Sequence, residues 1–201
     1  MPAPNDVSPP RPPWQTDWRL PAACALLLSL LAPPPSTLRA TSLARMDLAD
    51  LVRQSTYVVR ARCTGVAGQS FSGQVWTRST FTVTEAWKGD PPSPFTVRLP
   101  GGHAAGLRVT VDGAPRFRPG EDVVLFLFAR AAGHFTVVGW AQGTFRIRTD
   151  SRTGAAQATQ DTAGIQLLDA RSGSWSPGFR RQIPLADLRA RVSAALQRVP
   201  R

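Results

Sequence analysis

Six apolar residues, Val123 to Phe128, follow one another without a polar break. A strand buried on one face alternates apolar with polar positions. An unbroken run of β-branched and aromatic residues therefore predicts a strand covered on both faces. It is far too short to cross a bilayer. The stretch that leads into it, Phe117-Arg-Pro-Gly-Glu-Asp122, contains a turn pair: proline presets the first φ, and glycine accepts the positive φ that follows. The whole of Phe117–Phe128 reads as the entry to, and body of, a central strand around which the rest of a β domain packs.

Elsewhere the pattern alternates. Tyr57, Val59, Ala61 and Cys63 fall on one face of a half-buried strand, with Val58, Arg60 and Arg62 on the other. In Gln74–Lys88 the alternation drifts near Glu85-Ala86-Trp87, where a β-bulge would turn Trp87 inward instead of Glu85. Further short strands are predicted at 95–99, 107–111, 135–140, 144–148 and 165–168, each bounded by glycine, proline or aspartate. Residues 150–164 read as a loop or an exposed hairpin, and 171–177 as a linker. Helical spacing occurs only near the ends. Leu48, Leu51 and Val52 suggest one or two turns, and Leu185, Leu188, Val192 and Leu196 form a stripe over 184–199. Together these predict an all-β fold, a small OB-like barrel or alternatively a β-sandwich, with a short N-terminal helix and a C-terminal amphipathic helix.

The first forty residues read differently. Leu20–Leu31 is a twelve-residue apolar run behind a Pro-rich segment carrying Arg11 and Arg19, and it ends at Pro33-Pro34-Pro35. As a helix it would cover about 18 Å, against the ~30 Å of a hydrocarbon core. A basic start, a short apolar stretch and a small residue at Ala40 together predict a signal peptide over 1–40 and an exported protein, periplasmic, cell-surface or extracellular. The β domain would then cover 43–169, and a basic linker and helix 170–201. Removing the signal leaves Cys63 as the sole cysteine. That excludes an intramolecular disulfide and a Cys-x-x-Cys pair, and Cys63 reads as a buried small hydrophobe.

Charge adds one functional handle. The chain of 201 residues carries a net +11, with 24 Lys and Arg, of which Lys88 is the only lysine. Residues 170–201 contain seven arginines against Asp187 alone. Arg180, Arg181, Arg189 and Arg191 are the candidate binding residues there, with His103 in the glycine-rich loop 100–106 as a fifth. Such a cluster attracts an anionic cell-surface polymer, lipid headgroups or a protein, and export makes nucleic acid the least favoured partner.

Catalytic patterns are missing from the sequence. There is no Gly-x-Ser-x-Gly, no Ser-x-x-Lys and no phosphate loop. His103 and His134 stand in no metal-binding spacing, and no cofactor is implied. Glu121 and Asp122, as neighbours in a strand, would point to opposite faces. Among the tryptophans, Trp87 and Trp140 follow apolar strands and read as core, although aromatic side chains on a surface can form a stacking platform. The function that follows is a non-enzymatic binding or accessory module, with an enzyme whose site is assembled from distant residues as a further alternative.

Several features recur in a fixed order: the strand ending Trp87-Lys88-Gly89, the Pro100-Gly101-Gly102 loop, Phe117-x-x-Gly-Glu before an apolar strand, and Gly139-x-x-x-Gly143-x-Phe145. Over roughly 43–148 this order resembles a group of uncharacterised exported bacterial proteins, found also as domains beside secreted enzymes. It is similar, too, to the netrin-like modules that include tissue inhibitors of metalloproteinases. That second resemblance implies an OB-type barrel and, as an alternative function, protease inhibition. Those inhibitors act through a free N-terminal cysteine on a catalytic zinc and are pinned by disulfides. Cys63 lies inside a strand, so the resemblance carries the topology and not the inhibitory residues.

Overall fold

The computed structural model describes residues 42–130 and 133–198, all within one unit, Ala40–Arg201. The expected signal peptide at 1–40 lies outside the described residues. The chain is mostly β: β1 (Ser42–Ala44), β2 (Tyr57–Phe71), β3 (Gln74–Lys88), β4 (Phe95–Pro100), β5 (Gly102–Ala104), β6 (Leu107–Val109), β7 (Asp122–Ala129), β8 (His134–Val137), β9 (Thr144–Thr149), β10 (Ala156–Asp161), β11 (Gln166–Leu168), β12 (Trp175–Pro177) and β13 (Arg180–Pro184). Among the described residues there are two α-helices, α1 (Leu48–Gln54) and α2 (Leu185–Arg198). Among the described residues no helix is long and apolar enough to cross a membrane.

Eight strands form the main sheet in the order β13-β10-β9-β7-β2-β3-β4-β8, and β8 also pairs with β7. Every pairing in this sheet is antiparallel except β4 with β8. The expected central strand is β7, and its two faces explain its composition. Val123, Leu125 and Leu127 enter one core with Val59, Ala61, Cys63, Phe81 and Phe95. Val124 and Phe126 enter a second core with Leu51, Val52, Phe145, Leu188 and Val192. All five of these β7 side chains are fully buried. Alternation by two thus divides one strand between two interiors.

Strand β2 follows the alternation read from its sequence. Val59, Ala61 and Cys63 face the first core and Val58 the second. Its pairing with β3 slips at Cys63/Gly65 and at two places nearer its start: Val58 faces Lys88 while Val59 faces Ala86, and Arg60 faces Glu85 while Ala61 faces Val83. Trp87 and Thr84 are the extra residues. The slip at Thr84 sends Val83 to the first core, and both Glu85 and Trp87 come to line one groove beside α2. Trp87 therefore packs against the second core without displacing Glu85.

Helix α1 begins at a reciprocal cap. Asp47 accepts from the Asp50 backbone N–H, and the Asp50 carboxylate accepts from that of Asp47, which satisfies two otherwise orphaned donors. At its other end the Lys88 ammonium donates to the Val52 carbonyl at 2.7 Å and to that of Ser55. Cations suit the carbonyl end of a helix. Gly89 follows with φ of +69°, and a Cβ there would stand 2.6 Å from the Tyr57 ring. The Lys-Gly pair thus has a structural reason on both residues. At the entry to β7, Gly120 takes φ of +89°, as the Pro-Gly turn requires.

Three expectations change. The loop at 100–106 contains a hairpin, with His103 paired to Arg108. Residues 150–164 are the turn and second strand of the β9–β10 hairpin, with Ala158 fully buried. The linker read at 171–177 ends in β12, which pairs with β11, while β13 joins the main sheet beside β10. Polar β10 and β13 hid this, because each has one face on the second core and one in water. Helix α2 buries Leu188 and Val192, with Leu185 and Leu196 packed at the margin, as its stripe predicts.

Candidate functional site

Helix α2 returns over the sheet and stops beside α1, leaving a cleft of about 480 Å³ between them. Its floor is apolar: Leu48 from α1, Ile183 from β13, and Leu188 and Ala195 from α2. Its rim carries Arg53 from α1, Arg181 from β13, and Arg191 and Arg198 from α2. Among the described residues no carboxylate lines it.

Each arginine is placed for a local reason. In β13 the side chains alternate, so Arg181 and Ile183 share the face toward the helices while Arg180 and Gln182 point to solvent. On α2, Arg191 and Arg198 are seven residues apart, about two turns, and so stand on one side. Arg53 occupies the last turn of α1 and pairs with Asp50. Arg181 differs from the others. Its Nε is buried and has no hydrogen-bond partner among the described residues. Burial first, and the neighbouring positive charge of Arg191 second, push its pKa downward. A guanidinium nevertheless stays charged at any ordinary pH. The cleft therefore holds two mutually repelling, underpartnered cations above an apolar floor, an arrangement that an entering anion would relieve.

The five candidates from the sequence do not all meet here. Arg181 and Arg191 do. Arg189 instead pairs with Glu85 at 2.6 Å, on the side of α2 that covers Trp87. Arg180 is exposed on the far face of β13. His103 is exposed on β5 and lines a separate cleft of about 250 Å³ with Arg108, Arg116 and Phe117. Arg198 joins Arg181 and Arg191 from the same side of α2 as Arg191, and Arg53 is the rim residue that the sequence reading did not choose. Arg53 could have been found only by knowing that α1 and α2 are neighbours.

Glu121 and Asp122 hold arginines in place. Asp122 accepts from Arg60 Nε at 3.1 Å and from its Nη2 at 2.5 Å, and Glu121 accepts from the Arg118 backbone N–H at 3.1 Å. Cys63 is buried, its Sγ 3.7 Å from the Gly65 carbonyl, and burial pushes its thiol pKa up. That is the environment of an inert packing cysteine. Among the described residues no three of His, Cys, Asp and Glu gather where a metal ion could sit. Compared with protein-family models, with curated proteins and with solved structures, the chain finds no match in any of the three.

Proposed function

We propose that this chain is an exported, non-enzymatic binding module that holds an anionic, partly apolar group, a lipid headgroup foremost, in the cleft between α1 and α2. The observation that carries the reading is Arg181, buried at Nε without a partner and set beside Arg191 over an apolar floor. A surface arginine kept only for solubility would point to water or pair with a carboxylate, as Arg189 does with Glu85. An apolar floor with a cationic rim suits a ligand that has both kinds of surface.

The scaffold under this reading is a small OB-like barrel. Five strands pair in a ring, β2 with β3, β3 with β4, β4 with β8, β8 with β7 and β7 with β2. Strands β4 and β8 are parallel and the other neighbours antiparallel. Two pairings for β8 favour a closed ring over a sandwich, whose sheets would end in free edges. This order agrees with the similarity to netrin-like modules at the level of topology only, and fold alone does not assign function.

The test is cosedimentation with vesicles of phosphatidylglycerol, against phosphatidylcholine vesicles, at low salt. The expected result is binding to the anionic vesicles alone, weakening as the Debye length falls from ~10 Å at 0.1 M to ~3 Å at 1 M. Two double variants remove equal charge. Arg181→Gln with Arg191→Gln should abolish most binding, whereas Arg180→Gln with Arg189→Gln should keep it. Equal losses from the two pairs would mean that total charge, not the cleft, does the attracting. No binding by the parent would overturn the proposal.

A further inference from the structure

A second arginine site lies on the outer face of β3, β4 and β8, and it is built differently. Arg98 of β4 places its guanidinium 4.7 Å from the centre of the Trp76 ring and 5.4 Å from that of Phe71. It makes no ion pair with any described residue, and its Nε is buried without a hydrogen-bond partner. Directly across the β3–β4 ladder stands Arg78, a second cation on the same face. Like charges in directly opposed positions destabilise a sheet. Two aromatic rings hold Arg98 where an acid would ordinarily be found.

The surroundings repeat the theme. A cleft of about 580 Å³ is lined by Phe71, Trp76, Arg98, Arg130 and His134, and among the described residues no carboxylate lines it. Arg130 lies 5.7 Å from the Phe128 ring centre. His134 pairs with Thr96 at the start of β8, and its Nδ1 is buried with no partner. Two buried nitrogens without partners in one cleft require an explanation. Phe71 remains 59% exposed, so an aromatic surface stays free beside the cations.

We propose that this cleft binds an acidic saccharide, a sugar bearing a carboxylate or a sulfate on its ring. Seated over the Trp76 and Phe71 rings and without an acid, the Arg98 guanidinium keeps N–H donors for the paired oxygens of such a group. Arg130 and His134 supply further donors from the same wall. The exposed Phe71 ring offers the apolar face of a sugar a place to lie. The volume falls within the range of small-ligand sites. This site shares no lining residue with the cleft between the helices and does not depend on it.

The experiment is titration of the purified protein with a galacturonate tetramer, a sulfated maltotetraose and neutral maltotetraose at fixed low salt. Binding is read by calorimetry and by tryptophan fluorescence. Saturable binding of one or both acidic sugars and none of the neutral one is expected, and the two acidic arms separate carboxylate from sulfate. Arg98→Gln should weaken binding at least about tenfold, the loss of one charge-assisted pair. Trp76→Leu should remove the fluorescence response. Arg191→Gln with Arg198→Gln, in the other cleft, should change nothing. Should Arg98→Gln fail to fold, the exposed Arg130→Gln carries the same test. Equal binding of the neutral sugar, no binding at all, tighter binding of a single-stranded oligonucleotide of matched charge, or loss of binding in the Arg191/Arg198 variant would each overturn the proposal.

Discussion

The two cores of this protein are built from the same strand and differ in almost everything else. The first is enclosed by strands and by Phe117 from the loop before β7, and is rich in aromatic rings: Phe81 stacks on Phe95, and Phe117 and Phe135 meet those two edge-on. The second lies between the other face of the sheet and the two helices, and its largest members are Phe126, Phe145, Leu51 and Leu188. Strand ladders fix the first core, since each residue's position is set by its register. The second depends on how α1 and α2 come to rest, and short helices derive most of their stability from such packing. The proposed headgroup cleft sits at this helical, more adjustable side. The saccharide cleft rests on the β-only side, where Arg98 and Trp76 are held on neighbouring paired strands.

The strongest way to break the comparison is to attack the strand the cores share. Leu125 is fully buried in the first core. Leu125→Asp places a carboxylate where it must desolvate or take up a proton, at a cost of several kcal/mol, comparable to the whole stability of a domain this size. The expected outcome is failure to fold, read by circular dichroism and by loss of soluble protein. A thermal melt within a few degrees of the parent would show that β7 is not central.

A smaller effect sharpens the difference. Leu188 is fully buried and belongs only to the second core. Leu188→Ala should cost about 2–5 kcal/mol, borne mainly by α2. Cys63 reports on the first core, so thiol labelling of native protein should stay slow while helical signal and vesicle binding fall. Faster labelling in step with helix loss would mean that the two cores unfold as one unit.

Much of this architecture was legible in the sequence, and the residues show why. An unbroken apolar run could mean little other than two covered faces, so Val123–Phe128 was legible as a central strand. The α2 stripe and the β2 alternation were equally direct. What could not be read was partnership at long range. Gln142 is 2% exposed and bonds the Met46 N–H and the Ala44 carbonyl, both at 2.9 Å, pinning the segment before α1. Nothing in its local sequence separates it from a loop glutamine. The arginines suffered the same ambiguity. Composition gave their number, but only the fold separates Arg189, which has Glu85, from Arg181, which has no acid. Trp76 was one of several tryptophans until Arg98 came to lie against it.

The Cys63 thiol gives a pH test of the first core with a smaller effect. Burial, before any other cause, raises its pKa above the ordinary range. An unfolded chain releases that proton near pH 8.5. Below that pH both states keep the proton and the packed thiol contributes fully. Above it the unfolded state gains from ionisation, so stability falls as pH rises toward the folded pKa. The expected loss is about 1.4 kcal/mol per pH unit from this group. The other ionisable groups are common to both proteins, so Cys63→Ala, which cannot ionise here, isolates the thiol's contribution. Denaturation midpoints of parent and variant should draw together between pH 8 and pH 10. A constant gap across that range would show that the thiol is not buried in solution.

The smallest expected effect separates charge from place. Arg189 and Arg191 stand two residues apart on α2, about 200° around its axis. The first reaches Glu85 beside Trp87, and the second lines the cleft between the helices. The Arg189 side chain is 61% exposed, and ion pairs at such sites contribute about 0–1 kcal/mol. Arg189→Gln should therefore shift the melting temperature by no more than a few degrees. Its vesicle binding should stay within about twofold of the parent, because attraction at a distance loses only one charge of many. Arg191→Gln removes the same charge from the same helix but takes it from the cleft, where Arg181 stands beside it without an acid. It should weaken vesicle binding several-fold and leave the melt unchanged or slightly improved, since a like-charge repulsion goes with it. Identical binding by the two single variants would place the attraction in the charge of the helix as a whole and remove the reason for assigning it to the cleft.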